Sequence, residues 1–219
     1  MKNMLFIMNP KAGRTTLKNS LVDVLEVFCN NDYAVRTYLT KSADDAERIV
    51  QEEGANYDVI VCAGGDGTLG NTVTGYMKSG IRVPLGYIPC GSTNDFARSM
   101  DIPRETVEAA EMIVKAEPFS IDIGSLNDKN FVYVAAFGMF SDTSYATPQN
   151  MKNIFGHAAY VLQGIKSLAN VPSYKMKVTI DGDEQEGEFI FGMVSNSVSV
   201  GGFKSITRKG VEFDDGLFE

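Results

Sequence analysis

Apolar runs and amphipathic segments alternate along the first half of the chain. Apolar runs predict a buried β-strand at residues 2–9 and a continuous apolar one at 58–63, and further strands are predicted at 34–39 and 84–88. Apolar residues at helical spacing predict α-helices at residues 16–30, from Ser42 onward with Asp45 as its capping partner, and at 68–78. The first of these helices carries one apolar face made of Leu17, Leu21, Val24, Leu25 and Phe28. Because strands and helices that alternate with short links build parallel sheets, the pattern predicts an α/β fold with a mostly parallel sheet.

The pattern changes after about residue 120. Strands are predicted at 120–126, 130–137, 174–180 and 186–195, with a helix at 156–170. The turn Asp181-Gly182-Asp183 between the last two strands is a hairpin signal. We therefore predict a nucleotide-binding domain at residues 1–122 and a β-rich, mostly antiparallel domain at 123–219.

The charge balance narrows the classes of partner. The 219 residues carry a formal net charge of −8, with 44% hydrophobic and 22% charged residues. This composition is typical of a globular protein with a buried core. The acidic balance and the lack of a basic run argue against nucleic-acid binding. Contact with an anionic lipid surface is expected to be local and partly apolar.

Cysteine usage and hydropathy bear on the compartment. The three cysteines, Cys29, Cys62 and Cys90, are widely spaced and include no CxxC pair, which favours free thiols in a reducing compartment. No apolar run approaches the roughly 20 residues of a transmembrane helix, and the run at 4–8 is short for a signal peptide. We expect a cytoplasmic protein without a transmembrane segment, whose peripheral contacts would be with the inner face of the membrane.

The strongest site signal is the segment Gly-Gly-Asp-Gly-Thr at residues 64–68, directly after the predicted strand 58–63. Glycines at the carboxyl end of a strand let backbone N–H groups approach a phosphate, and the helix that follows adds its N-terminal dipole. Asp66 places a carboxylate in that cradle, where it would repel a polyphosphate unless a divalent cation lay between them. The segment therefore predicts binding of ATP with Mg²⁺, and Asp66 is the first candidate catalytic residue.

Two other phosphate-binding motifs fit the sequence less well. Residues 65–70 formally match the dinucleotide fingerprint GxGxxG, but they follow the third predicted strand and not the first, and they contain Asp66. No Walker A segment, GxxxxGK[ST], occurs in the chain. For the segment at residues 64–68, the non-functional alternative is a tight turn that needs glycine only for its backbone angles.

Two further segments follow predicted strands. Residues 89–98 follow the strand 84–88, and the Ser92 hydroxyl among them is a candidate hydrogen-bond donor to a phosphate. Asn94 and Asp95 are candidates to cap a helix or to contact the metal or the acceptor hydroxyl. Residues 9–13 follow the first strand, and their lysine is a candidate point charge for a phosphate. Because ligands bind at the carboxyl ends of parallel strands, these segments are expected to face the glycine-rich segment.

Together, the three segments resemble the diacylglycerol kinase catalytic family, which includes bacterial diacylglycerol kinases, related lipid kinases and sphingosine kinases, and more distantly NAD kinases. The family pattern NPxxG, GGDGT and PxGTxNDFAR has its counterparts here, in the same order and at similar spacing, at 9–13, 64–68 and 89–98. GGDGT is shared with NAD kinases, whereas the NDFAR part makes the match specific. The resemblance covers essentially the whole chain, including Ile-Asp-Ile-Gly at 121–124 and Asp-Asp-Gly at 214–216.

The resemblance implies a three-layer nucleotide-binding domain, followed by a β-rich, sandwich-like lipid-binding domain, with ATP and Mg²⁺ as cofactors. The residues that it and the site pattern assign to the nucleotide are Asn9, Pro10, Lys11, Ala12, Gly13, Thr40, Gly64, Gly65, Asp66, Gly67, Thr68, Leu69, Gly70, Ser92 and Asn94. It also implies a structural Mg²⁺ site made by the Asp215 carboxylate and backbone oxygens near Glu212 and Leu217. An acidic turn without metal is the alternative there.

The sequence departs from the family pattern at three places. Ser92 replaces the usual threonine and keeps the hydroxyl, while Leu69-Gly70-Asn71 stands where many members have Leu-Asn-Glu, so a carboxylate near the phosphates is lost. Family members continue beyond the Asp-Asp-Gly element, and their proposed general base is a glutamate in that continuation. Because the sequence stops at Glu219, the resemblance predicts a second domain that is truncated or is completed by a partner chain. It also predicts that the chain is inactive, since it lacks a counterpart of that base.

We therefore predict an ATP-dependent lipid kinase that transfers the γ-phosphate to a hydroxyl of diacylglycerol or a related lipid at the membrane surface. Asp66 and Asp95 are the catalytic candidates. Two alternatives stay open: an NAD kinase-like phosphotransferase, and a non-catalytic nucleotide- or lipid-binding module. A homodimer is among the expected assemblies.

Overall fold

The structure, a computed structural model, describes residues 1–12, 16–138, 172–200, 203–204 and 211–219. Its contacts group the chain into two compact units. The first comprises Met1–Val134 and Ser195–Glu219, and the second comprises Ala135–Val194. The predicted domain boundary at 122/123 stays a prediction, and the contacts place residues on both sides of it in the first unit.

The first unit is built on a parallel sheet. Its strands are β1 (Lys2–Met8), β2 (Tyr33–Leu39), β3 (Val59–Gly64) and β4 (Leu85–Pro89), in the spatial order β2-β1-β3-β4. All three strand pairs in this sheet are parallel. Its helices are α1 (Thr16–Asn30), α2 (Asp45–Glu53), α3 (Asp66–Ser79), α4 (Asp95–Ser99) and α5 (Thr106–Lys115). The alternation of strands and helices confirms the predicted α/β class.

The core explains why the central strands are apolar at every position. Side chains alternate between the two faces of a strand, so a strand covered on both faces needs apolar residues throughout. One face packs against α1 and α5 in a cluster that includes Met4, Phe6, Met8, Val24, Phe28, Val59, Val61, Ala109 and Ala110. The other face packs against α2 around Leu5, Ile7, Ala46, Ile49, Val50 and Ile60, and against α3 around Cys62, Leu69 and Val73. The predicted three layers and the predicted apolar face of α1 are confirmed.

Two helix starts differ from their predictions. Helix α2 begins at Asp45 and not at Ser42, because the Asp45 carboxylate reaches back to accept N–H bonds from Lys41 and Ser42 at 2.7 and 3.2 Å and holds those residues in a turn. Helix α3 begins at Asp66, so most of the glycine-rich segment forms its first turn. Helix α5 was not predicted from the sequence.

The strands predicted at 120–126 and 130–137 are shorter than expected. They form β5 (Gly124–Leu126), β6 (Lys129–Phe131) and β7 (Val134–Gly138), with an antiparallel β5–β6 pair around the predicted turn. The break between β6 and β7 falls at Val132 and Tyr133. Val132 is buried in the cluster beside α3, and the Tyr133 carbonyl accepts the N–H of Asn196 at 2.9 Å. Because of these contacts, the backbone turns away after Phe131 and its pairing with β5 ends there.

The second unit contains the predicted hairpin. Strands β8 (Tyr174–Ile180) and β9 (Asp183–Phe189) pair antiparallel around Asp181 and Gly182, whose φ values of 51° and 93° suit a tight two-residue turn. The strand predicted at 186–195 is instead split into β9 and β10 (Phe191–Ser195), because β9 pairs with β8 whereas β10 pairs with β7.

The remaining described strands are short. Strands β11 (Ser199–Val200) and β12 (Phe203–Lys204) form an antiparallel pair within the first unit. The helix predicted at 156–170 lies outside the described residues. Among the helices that the structure describes, none is long and apolar enough to cross a membrane.

Candidate active site

The carboxyl ends of the four parallel strands meet at one edge of the sheet. Met8 pairs with Leu39 and with Ala63, and Gly64 pairs with Pro89. Backbone hydrogen bonds continue this alignment one residue further: Asn9 N–H to the Ala63 carbonyl at 2.9 Å, Thr40 N–H to the Met8 carbonyl at 2.9 Å, and Cys90 N–H to the Gly64 carbonyl at 2.7 Å. The three predicted segments and Thr40 therefore lie at the same edge.

The loop after β1 is anchored to helix α3 by Asn9. Its Nδ2 donates to Thr68 Oγ1 at 3.0 Å, and its Oδ1 accepts the N–H of Lys11 at 2.9 Å. Lys11 and Pro10 are exposed, while Ala12 packs against the core cluster beneath α1. Gly13, a predicted nucleotide contact, lies outside the described residues. The Asn9 contacts join the first family segment to the second.

The glycines of the site serve two different needs. A Cβ on Gly64 would lie 2.5 Å from the Thr68 side chain, and a Cβ on Gly91 would lie 2.6 Å from the Gly65 Cα, so these glycines allow close packing. In contrast, a Cβ on Gly67 or Gly70 would have no described atom within 4 Å. Because these two positions have no side chain, the backbone at the start of α3 is left bare, that is, uncovered by side chains, on a side where a ligand can approach it.

Asp66 connects the second segment to the third. Its carboxylate oxygens accept the N–H groups of Asp95 and Phe96, at 3.2 and 3.3 Å, in the first turn of α4. Burial is the main cause that raises the pKa of Asp66, and the charge of Asp95 raises it further, while the two N–H bonds act in the opposite sense. Two acidic residues thus lie close together, in a partly buried place where their charges repel.

Asn94 shapes the loop between β4 and α4. Its Oδ1 accepts the N–H of Gly91 at 2.7 Å, and its Nδ2 donates to the Gly91 carbonyl at 3.0 Å. Asn94 adopts the left-handed conformation, with φ of 52°, and its side chain does not cap α4. Ser92 is exposed at the tip of this loop, whereas Asp95 is 3% exposed. The contacts predicted for Asn94, Asp95 and Ser92 with ligands stay predictions.

The predicted metal site lies in the turn at residues 212–217. Asp215 Oδ1 accepts the N–H of Leu217 at 2.9 Å, and Glu212 and Leu217 are exposed. No group of three or more His, Cys, Asp or Glu side chains suited to a metal occurs among the described residues. A metal in this turn would therefore depend on backbone oxygens, as the resemblance implies, and the site stays a prediction.

Asp122 supports this turn, a role that was not predicted from the sequence. Its Oδ2 accepts the N–H of Gly216 at 2.6 Å, and its own N–H donates to the Phe213 carbonyl at 2.7 Å. Asn196 donates to the same carbonyl at 3.2 Å. One signal in the sequence could have indicated this role, because Asp122 lies between two isoleucines and an acidic residue in an apolar segment usually has a specific partner.

Comparisons with known proteins agree with this architecture. Residues 3–126 match the family described as the diacylglycerol kinase catalytic domain. A diacylglycerol kinase of Bacillus subtilis (strain 168) is 35% identical over 100% of this chain and 73% of its own length. A diacylglycerol kinase of Staphylococcus aureus (strain JH9) is 34% identical over 99% of this chain and 69% of its own length.

Solved structures show the same likeness in three dimensions. The crystal structure of a putative diacylglycerol kinase from Bacillus anthracis str. Sterne has a TM-score of 0.84 and 31% identity, and the match covers 99% of this chain and 72% of that one. A second structure of a diacylglycerol kinase from the same organism has a TM-score of 0.81 at 30% identity. These matches confirm the predicted fold class. With the three segments assembled at one sheet edge and relatives alike over nearly its whole length, the chain belongs to the diacylglycerol kinase catalytic domain family.

Proposed function

We propose that this protein transfers the γ-phosphate of ATP to a hydroxyl group of a lipid, with diacylglycerol as the leading acceptor. Membership of the family and the names of its relatives support a kinase activity. The finer assignment of ATP as donor and of a lipid as acceptor is our own.

One observation carries the proposal: the bare start of α3 and the Asp66 carboxylate lie together at the carboxyl edge of the sheet. Backbone N–H groups in the first turn of a helix attract phosphate, and glycine allows the phosphate to come close. The bare positions are Gly67 and Gly70. The exposed Lys11, in the loop that Asn9 ties to α3, supplies a positive charge at the same edge.

The residues at this edge fit a magnesium nucleotide. Burial makes ionisation of Asp66 unfavourable, and its carboxylate lies close to the charge of Asp95. A divalent cation held between Asp66 and the phosphates would offset both costs, since Mg²⁺ prefers carboxylate and phosphate oxygens. When bound, Mg²⁺ would neutralise the charge that develops on the transferred phosphoryl group.

The protein's own contribution to the reaction is to position the reactants. Helix α3 would hold the phosphates by its N–H groups, and the Asn9 and Asn94 side chains keep the neighbouring loops in fixed conformations. Asp95, buried at the start of α4, would orient the metal or the acceptor hydroxyl. Phosphoryl transfer depends mainly on such positioning and on charge stabilisation.

Asp66→Ala tests the role of the carboxylate. In the complete gene product, we expect turnover of ATP with diacylglycerol to fall at least about 100-fold, as for loss of a central electrostatic group, while circular dichroism shows a folded protein. Asp58→Ala is the matched control, because Asp58 also accepts a backbone N–H, that of Asn3 at 2.7 Å, but at the opposite end of the sheet. Near-normal turnover in Asp66→Ala would remove the proposed mechanism.

The acceptor is identified with labelled ATP and a panel of lipids and NAD. Phosphorylation of diacylglycerol or another lipid supports the proposal. Phosphorylation of NAD in place of any lipid would show an NAD kinase-like enzyme. Calorimetric binding of ATP without turnover on any acceptor, in the complete gene product, would show a non-catalytic binding module.

A further inference from the structure

Tyr87 places a hydroxyl inside the apolar strand β4, directly beneath the two loops of the candidate site. It is 5% exposed, and its ring packs against Phe96 of α4 with ring centroids 6.1 Å apart. In the sheet it lies beside Cys62 of β3. A buried tyrosine hydroxyl normally has a hydrogen-bond partner, because an unpaired one costs free energy.

The Tyr87 hydroxyl has acceptors in both loops. It donates to the Gly64 carbonyl at 3.1 Å and lies 3.5 Å from Asn94 Oδ1. The Gly64 carbonyl also accepts the N–H of Cys90. One side chain therefore lies against the end of β3, just before the first turn of α3, and against the residue that precedes α4.

The Tyr87 hydroxyl is in its donating, protonated form at neutral pH. Burial is the main cause that raises the pKa of Tyr87 far above its ordinary value, and the negative charge of Asp66 raises it further. The group is therefore protonated at neutral pH. At that pH the hydroxyl can donate its hydrogen bond to the Gly64 carbonyl.

The two loops touch at three levels. At the bottom is the Tyr87 hydroxyl. In the middle the backbones of Gly65 and Gly91 touch, since an added Cβ on either would lie 2.6 to 3.2 Å from the other's Cα. At the top the Asp66 carboxylate accepts the first N–H groups of α4. The structure describes no hydrogen bond in the middle contact. The Tyr87 hydroxyl and the Cys90 N–H, which both donate to the Gly64 carbonyl, hold the lower end of the contact, and the candidate catalytic pair lies at its upper end.

We propose that Tyr87 is a positioning residue for the phosphoryl-transfer site: its hydroxyl sets the spacing between the β3–α3 and β4–α4 loops, and through it the placement of Asp66 against Asp95. This inference rests on the proposed function for its kinetic consequence. Its structural consequence can be measured without any turnover.

The test is Tyr87→Phe, which keeps the ring and its packing and removes only the hydroxyl. Tyr57→Phe is the matched control, because the Tyr57 hydroxyl also makes a side-chain hydrogen bond, with Arg36 at 3.0 Å, but outside the site. Hydrogen exchange is measured for the backbone amides of residues 90–96 and of helix α5. The kinetic constants kcat and KM for ATP are measured in the complete gene product with a lipid acceptor.

In Tyr87→Phe we expect amides of residues 90–96 to exchange about five- to tenfold faster, the effect of losing roughly one hydrogen bond. Amides of α5 should keep their rates. We expect kcat to fall by a similar factor, with KM for ATP changed less than about twofold and the shape of the pH profile unchanged, because the loss affects alignment and not proton transfer. Tyr57→Phe should change neither exchange at 90–96 nor kcat.

Unchanged exchange at residues 90–96 would overturn the inference, as would equal acceleration in α5, which would show only general destabilisation. Accelerated local exchange with wild-type kcat would show that the hydroxyl holds the loops but does not position the reaction, and it would overturn the inference also. Failure of the proposed function is seen separately, as a wild-type protein that transfers phosphate from ATP to none of the acceptors. In that case the hydrogen-exchange rates at residues 90–96 alone decide the inference.

Discussion

Single glycines at the site differ in what surrounds them. Gly91 lies with its Cα against Gly65, and an added Cβ would also lie 2.6 Å from Asn94 Oδ1. Gly67 lies in the first turn of α3, where an added Cβ would have no described atom within 4 Å. The same substitution at these two positions therefore separates packing between the loops from access to the ligand.

We expect Gly91→Ala to lower the free energy of unfolding by about 1–3 kcal/mol, because the two backbones must move apart. Urea denaturation followed by circular dichroism measures this. A variant as stable as the wild type would contradict the close contact between the loops.

Gly67→Ala should have the opposite profile. Alanine in a helix is favoured over glycine by about 1 kcal/mol, so the free energy of unfolding should stay the same or rise. Affinity for ATP, measured by calorimetry with Mg²⁺, should fall about tenfold or more, because the methyl group covers backbone that a phosphate would approach. Unchanged affinity would show that the bare surface at Gly67 does not receive the nucleotide.

At the scale of elements, Glu47 ties three of them together. Its two carboxylate oxygens lie 2.7 Å from Lys78 Nζ at the end of α3 and 2.7 Å from Lys129 Nζ in β6. The bond from Lys129, followed by that from Lys78, holds the pKa of Glu47 below its ordinary value. The interaction fixes α2 against the C-terminal end of α3 and against the β5–β6 hairpin, on the face of the sheet that α2 and α3 cover.

Glu47→Gln should therefore destabilise the protein in a pH-dependent way. A carboxyl group with a lowered pKa in the folded state stabilises the protein above its unfolded pKa, near 4.5, and this contribution is lost as the pH falls through the lowered value. We expect a loss of about 1 kcal/mol at pH 7, because both lysines are partly exposed to solvent, and a smaller difference from the wild type at pH 3. Chemical denaturation at both pH values measures it.

Glu111→Gln is the control for this experiment. Glu111 pairs with Lys115 on the surface of α5, with side-chain exposures of 50% and 70%. Such a pair contributes little, so the control should change the free energy of unfolding by less than about 0.5 kcal/mol. An effect of Glu47→Gln that is equally small, or that is the same at pH 3 and pH 7, would show that the two ion pairs do not stabilise the fold.

At the scale of the whole molecule, the three thiols report on global unfolding. Cys29 is exposed, whereas Cys62 and Cys90 are buried. Burial raises the pKa of the Cys62 thiol to about 12 and that of the Cys90 thiol to about 11. Because the thiolate is the reactive form, both buried groups are protected twice, by inaccessibility and by protonation.

Titration with Ellman's reagent at pH 8 should therefore detect one fast thiol per native chain and three in denaturant. Cys29→Ser should leave no fast thiol. Rapid reaction of a second thiol in the native protein would show that the sheet opens locally near β3 or β4 without global unfolding.

Much of this architecture follows from local patterns. The apolar face of α1 repeats at the period of a helix, and its bounds, Thr16–Asn30, coincide with those predicted. The central strands are apolar throughout because both faces are covered, a property of each strand's own residues. The glycine-rich segment and residues 89–98 each follow such a strand, which is enough to place them at one edge of a parallel sheet. Fold class, the order of most elements and the location of the candidate site were thus accessible from sequence.

The tertiary structure decided what depends on residues far apart in the chain. The Asp66 carboxylate accepts hydrogen bonds from the N–H groups of residues 29 and 30 positions later in the chain. The Tyr87 hydroxyl donates to the carbonyl of Gly64, 23 residues earlier. The break between β6 and β7 follows from the bond of Asn196 to Tyr133, and the break between β9 and β10 from their different partners. Periodicity reports only on neighbours within a turn or a pleat. Contacts of this kind are set by the path of the backbone, so they become visible only when the chain is folded.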